Sequence, residues 1–125
     1  MMTLEIADIP PSPNVLRRKF RSPYVYKKLR KSWEWSLLGA VGPHHRELLR
    51  RQAAECKVQV QVTIHHSRLY DQDNATGSLK PVLDALKNVG YLRDDNAEWL
   101  DLLPVVQVKS PRKGQKTVIK IGRTD

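Results

Sequence analysis

Two aspartates separated by a single residue, Asp71 and Asp73, follow the most regular strand pattern in the chain. In an extended segment, residues two apart point to the same side. Magnesium is a hard cation that takes oxygen ligands and keeps several waters, so grouped carboxylates at a strand end suit it. The spacing predicts one half of a divalent-metal site, and the site needs a further acid from elsewhere in the chain.

A second acidic pair, Asp94-Asp95, lies just beyond a predicted helix that starts near Ser78. An antiparallel return of this helix would bring Asp95 back toward the first pair. The alternative is structural, because aspartate and asparagine commonly cap helices and close turns through bonds from side chain to backbone. The metal prediction therefore depends on the two acidic pairs meeting.

The same predicted helix carries charged residues at regular spacing. Lys80, Asp84 and Lys87 are separated by steps of four and three, so they share the polar face of the helix. A solvated ladder of ion pairs explains this arrangement as well as a catalytic role does.

The elements that must position these residues alternate between strand and helix. Apolar residues at every second position predict a strand over residues 57–64, and a shorter alternation predicts a first strand over residues 3–9, ending at Pro10. Helical periods run from Leu29 to Val41 and over residues 44–55, and an amphipathic helix extends from Leu79 to Gly90. The segment 65–78 is polar.

The β-rich runs at residues 104–109 and 116–123 are joined by a turn and predict a closing hairpin. With 125 residues and 40% hydrophobic content, the chain has room for one core. We expect an α/β (α+β) fold in which a small mixed β-sheet packs with two or three helices, forming one domain over residues 1–125.

The charge balance favours a polyanionic partner. Lysine and arginine number 22 against 13 acidic residues, for a formal net charge of +9. Basic and aromatic residues interleave between Arg17 and Tyr26, which suits contact with phosphates and bases, although Tyr24 and Trp33 could equally belong to the helix's core face.

Cysteine usage and hydropathy bear on the compartment. One cysteine excludes an intrachain disulfide, and no apolar stretch is long enough to span a bilayer. The first residues also lack the pattern of a secretion signal. We therefore expect a cytoplasmic protein without a membrane partner.

Taken together, these residues resemble the RusA family of Holliday-junction resolvases. The resemblance rests on the run from Asp71 to Asn74, on Lys80, on residues 83–86 and on the Asp94-Asp95 pair. The prolines and Asn14 of residues 10–14 are similar to that family's loop after the first strand. The resemblance covers nearly the whole chain, with two departures: the connection over residues 75–78 is longer, and Leu83 stands where the family's best-known member has an aromatic residue.

The resemblance implies a homodimeric, metal-dependent endodeoxyribonuclease that makes paired nicks in four-way DNA junctions, in recombination and repair. It implies Asp71, Asp73 and Asp95 as ligands of Mg²⁺ (or Mn²⁺), Lys80 as a catalytic lysine, and Asp84 and Asp94 as secondary acids. The residues that we expect to contact DNA are Asn14, Arg17, Arg18, Lys19, Arg68, Asn74 and Lys87.

Two other classes of function remain open. A non-enzymatic nucleic-acid-binding module would use the basic residues for phosphates and the aspartates only as caps. A protein-interaction domain would carry its charge incidentally. The pairs His44-His45 and His65-His66 lack a cysteine at zinc-ligand spacing, so we expect these histidines to be solvated.

Overall fold

The computed structural model describes residues 1–124. The helices are α1 (Pro13–Lys19), α2 (Pro23–Gly39), α3 (Pro43–Glu55), α4 (Gln72–Gly77) and α5 (Lys80–Asn88). The strands are β1 (Met2–Ile6), β2 (Val58–His66), β3 (Leu100–Leu102), β4 (Val106–Lys109) and β5 (Lys116–Arg123). A 3-10 turn, Arg112–Gly114, precedes β5.

Strand β2 is the centre of a mixed sheet. On one side it pairs antiparallel with β5, which in turn pairs antiparallel with β1. On its other side it pairs in parallel with two short strands, first with β3 beside Val58 and then with β4 beside His66. The parallel pairing matters for the site, because it fixes which end of β2 each later loop approaches.

The core lies on one face of this sheet. Val58, Val60, Val62 and Ile64 of β2 are all fully buried, as strict alternation requires when one face of a strand packs inward. Helices α2, α3 and α5 cover that face with a set of buried side chains: Trp33, Leu37, Leu49, Val82, Ala85 and Leu86.

Local sequence signals account for where the helices begin and end. Helices α1, α2 and α3 each have proline in their first turn, where a missing N–H costs nothing. Helix α5 ends at Asn88, and the φ of 87° at Gly90, two residues later, lets the Tyr91 N–H bond back to the Leu86 carbonyl at 3.0 Å. This is the Schellman arrangement, and it turns the chain toward Asp94 and Asp95.

The α+β class is confirmed, as are the long helices and the strand at β2. The predicted closing hairpin is wrong: β4 pairs with β2, and β5 pairs with β1 and β2. Strand β2 therefore lies between the two segments that were expected to pair. Among residues 1–124, no helix is long and apolar enough to cross a membrane.

Candidate nucleic-acid and metal site

A cleft of about 530 Å³ opens at the C-terminal end of β2. It brings together residues from the loop after β1, from α1, from the end of β2 and from the segment that follows β2 into α4. Its polar lining includes Ser12, Asn14, Arg18, His66, Arg68, Asp71 and Asn74. Four of the seven residues expected to contact DNA therefore lie beside one of the expected metal ligands.

Helix α1 and its capping residue supply one side of this lining. Ser12 caps the helix, accepting a 3.3 Å hydrogen bond from the Val15 N–H. Asn14 and Arg18 are four residues apart, so they share the helix face that borders the cleft. Arg17 donates to the Asn14 side-chain oxygen at 2.5 Å, which positions that amide.

The backbone before Asp71 is held by Gln107 of β4. The Gln107 amide nitrogen donates to the Tyr70 carbonyl at 2.9 Å, and its oxygen accepts from the Tyr70 N–H at 2.8 Å. The Tyr70 hydroxyl in turn donates to the Pro10 carbonyl at 3.2 Å, which ties the proline loop to the same place. Burial raises the pKa of Tyr70 still further above neutral, so the hydroxyl keeps its proton and donates this bond.

His66 is part of this network and is almost wholly buried, so the expectation that it is solvated is wrong. Its Nε2 lies 2.9 Å from the same Gln107 oxygen. Because that oxygen must be an acceptor, Nε2 carries the proton in the neutral ring. Nδ1 then carries a lone pair that could accept a hydrogen bond, but among the described residues it has no partner.

The two aspartates of the first pair lie at the start of α4. Asp71 is the N-cap residue, with extended backbone and an exposed side chain that makes no capping bond within residues 1–124. Asp73 lies in the first helical turn and is also exposed. The prediction that both project from one extended segment is wrong, because the helix begins at Gln72 and successive residues then rotate about its axis.

Lys80 and Asp84 form a separate cluster that includes Tyr26 of α2. The Lys80 ammonium is 3.2 Å from an Asp84 carboxylate oxygen and 5.0 Å from the centre of the Tyr26 ring. The Tyr26 hydroxyl donates to that oxygen at 2.5 Å. Burial, followed by the bond to Asp84, raises the pKa of Tyr26. Nothing in the sequence indicated that Tyr26 would bond to Asp84, which is 58 residues away.

Asp94 and Asp95 lie toward the other end of β2. Asp94 is 3.8 Å from Lys87, near the end of α5, and Arg93 donates to the Ala54 carbonyl at the end of α3. The Asp95 N–H bonds to Asp94 at 2.7 Å and lowers the pKa of that carboxyl. Asp95 stands five residues before Leu100, the partner of Val58 at the start of β2.

The first acidic pair, by contrast, follows the end of β2 at His66. Eight residue steps of strand separate Val58 from His66, or about 26 Å. Gln72, which lies between the two aspartates of the first pair, donates a 3.2 Å hydrogen bond to the Val105 carbonyl just before β4, whereas Asp94 and Asp95 precede β3, so the two pairs approach β2 at different points. Among residues 1–124, no three histidine, cysteine, aspartate or glutamate side chains form a group that could hold a metal ion.

The remaining candidates are exposed. Arg17 and Lys19 lie on α1 outside the cleft, and Lys87 is paired with Asp94.

Comparison with known proteins finds no family model that matches the chain and no similar curated protein.

Proposed function

We propose that this protein is a divalent-metal-dependent endodeoxyribonuclease that cuts branched DNA, with four-way junctions as its substrate. The observation that supports the proposal is the cleft at the end of β2. It combines the Asp71 carboxylate with the guanidinium groups of Arg18 and Arg68 and the amides of Asn14 and Asn74. A cytoplasmic location, also proposed, suits a DNA substrate and a single free cysteine.

The chemistry of the cleft suits a phosphodiester. Arginines bind phosphate oxygens through paired, charge-assisted hydrogen bonds, and the asparagine amides add neutral donors. Asp71 and Asp73 would hold Mg²⁺ (or Mn²⁺) together with waters and phosphate oxygens, since Mg²⁺ commonly binds through one or two carboxylates plus substrate. The bound ion would polarise the phosphate and acidify a water.

Two of the proposed roles, those of Lys80 and Asp95, are not fulfilled by the arrangement within a single chain. Lys80 is paired with Asp84, so it reaches a phosphate only by rotating away from that carboxylate. Asp95 does not group with Asp71 and Asp73 within residues 1–124 of one chain, so its proposed role as a metal ligand requires that a second copy supply it. The proposed homodimer would therefore serve two purposes: it would supply Asp95 to each metal site, and it would provide two sites for two nicks.

The test compares a synthetic four-way junction with a linear duplex of the same sequence, each with Mg²⁺ and with chelator. We expect nicks only in the junction and only with the metal. Asp73→Asn should keep junction binding while lowering cleavage at least about 100-fold, because it removes a ligand carboxylate and reduces repulsion of phosphate. Glu47→Gln, which changes an exposed acid on α3 away from the cleft, is the matched control and should cleave normally.

A non-enzymatic DNA-binding module is the second candidate. It is favoured by the lack of a three-ligand metal group within residues 1–124 of one chain. It predicts that junction binding is unaffected by chelator and that no nicks form at any metal concentration. Binding that disappears together with cleavage in Asp73→Asn would also contradict the enzymatic proposal.

A further inference from the structure

Helix α2 presents two faces of different character. Its inner face buries Trp33 and Leu37 in the core. On the opposite side, Tyr24, Lys28, Lys31 and Trp35 follow one another at steps of four, three and four, which places them in a single row along the helix. We call this row the α2 stripe.

The α2 stripe consists of side chains that are open to solvent. Tyr24 is 66% exposed and Trp35 is 74% exposed, the highest value among the large hydrophobic side chains of residues 2–124. Burying an aromatic ring is strongly favourable, and the inner face of the same helix does bury Trp33. Two such rings left outside on one row point to a ligand that covers them.

Within the part of the chain that the structure describes, the two lysines of the α2 stripe have no acidic partner. Lys28 lies 4.7 Å from the centre of the Tyr24 ring, which is a cation–π contact. Neither Lys28 nor Lys31 forms an ion pair with any described residue, whereas Arg30, on another side of the helix, is paired with Glu34 at 3.0 Å. Lys27, also exposed, adds a further positive charge beside the row.

We infer that the α2 stripe binds an unpaired strand of DNA, with bases stacked on Tyr24 and Trp35 and phosphates at Lys28 and Lys31. Tyr24 and Trp35 are eleven residues apart, or about 16 Å along the helix axis. Two aromatic rings with two cations between them offer stacking to the bases and charge to the phosphates of a single strand, and stacking tolerates any base sequence. The net charge of +9 supplies the long-range attraction.

This inference goes beyond the proposed function, because it concerns binding at a surface formed by none of the proposed cleavage residues. The test is therefore made in chelator. A fluorescent oligothymidylate of about 12 nucleotides, within the usual range of single-strand binding sites, is titrated with the whole chain and its anisotropy is recorded. Trp35→Ala should weaken binding roughly five- to hundredfold, the loss expected for one stacked base.

The lysines are tested by salt dependence. Replacing Lys28 and Lys31 with glutamine should reduce the slope of log affinity against log salt by about 1.4, since each contact with a single strand contributes about 0.7. The matched control replaces the exposed Lys57 and Lys113, which lie outside α2, and removes the same charge. Equal effects in the two double variants would reduce the binding to general electrostatics and overturn the inference.

Tryptophan emission and sedimentation complete the test. Saturating oligothymidylate should quench emission in the wild type but not in Trp35→Phe, because Trp33 is buried and Arg93 covers Trp99 at 3.9 Å. If Trp35→Ala instead converts a dimer to a monomer while oligothymidylate affinity is unchanged, the α2 stripe is an interface between copies and the inference is wrong. If the wild-type protein binds oligothymidylate at the α2 stripe but does not cleave the four-way junction with Mg²⁺, the result counts against the proposed function alone.

Discussion

At the scale of single residues, the side chain of Gln107 on β4 holds the backbone that leads into Asp71. Its amide satisfies both backbone groups of Tyr70 and the Nε2 of His66, so one side chain fixes three polar groups at the end of β2. Asp71 is the next residue along the chain. Gln107 is therefore a positioning residue, which acts on the acid through the backbone.

Gln107→Ala should lower the free energy of unfolding by about 1–3 kcal/mol, because it leaves half-buried backbone groups of Tyr70 without partners. Gln59→Ala is the control, since Gln59 bridges β2 and β3 through a single bond to Asp101 at 3.0 Å. Urea unfolding followed by tryptophan fluorescence, to which the buried Trp33 contributes, measures both. A loss in Gln107→Ala no larger than in Gln59→Ala would show that the three bonds do not act as inferred.

The sequence indicated the acids and the basic residues of the cleft, because their types and spacing are local information. It did not indicate Gln107, and its pattern was misleading there. Val106 and Val108 flank Gln107 in a strand, which suggests that the valines face inward. In the structure these valines are about 40% exposed, and the glutamine turns inward toward a backbone 37 residues away.

At the scale of elements, periodic sequence patterns predicted the individual helices and strands, but they did not predict which strands pair. The alternation of β2 and the period of α5 depend on burial of one face, which the sequence records directly. Which strands become neighbours depends on distant segments. The segments β4 and β5 look like a hairpin locally, but β2 offers a longer partner to β5, with eight paired residues, and separates them.

The hydrogen bond from Tyr26 of α2 to Asp84 of α5 should make the stability of the protein depend on pH. Burial, together with the bond to Asp84, raises the pKa of Tyr26, so the folded protein keeps the hydroxyl protonated where the unfolded chain has begun to lose its proton. This contribution to stability is complete below the ordinary tyrosine pKa of about 10 and is lost as pH rises above it.

Tyr26→Phe should cost about 1 kcal/mol of unfolding free energy at pH 8, through the lost hydrogen bond. Between about pH 8 and 11 it should then lose less stability than the wild type, because the tyrosine is no longer there to ionise. Urea unfolding at a series of pH values measures the difference. Tyr24→Phe, altered at an exposed ring, is the control and should parallel the wild type. If the unfolding free energy of Tyr26→Phe varies with pH in parallel with that of the wild type, this account is contradicted.

At the scale of the whole molecule, strand direction decides whether the acids can meet. Because β3 is parallel to β2, the loop carrying Asp95 approaches the start of β2, while Asp71 and Asp73 follow its end. The sequence shows both pairs but not this polarity, which is set by pairing over more than 40 residues. In a twofold dimer the start of one β2 can lie beside the end of the other, and each metal site would then take ligands from both copies.

Mixing two inactive variants tests this arrangement. If each site combines Asp73 of one copy with Asp95 of the other, a dimer of Asp73→Asn and Asp95→Asn retains one intact site. Refolding the two together should then restore nicking to about a quarter of the wild-type rate, because half of the dimers are mixed and each has one of two sites. Asp71→Asn mixed with Asp73→Asn is the control and should stay inactive, since every site then lacks an acid. No rescue in the first mixture, with dimers present by sedimentation, would mean that Asp95 does not complete a partner's site.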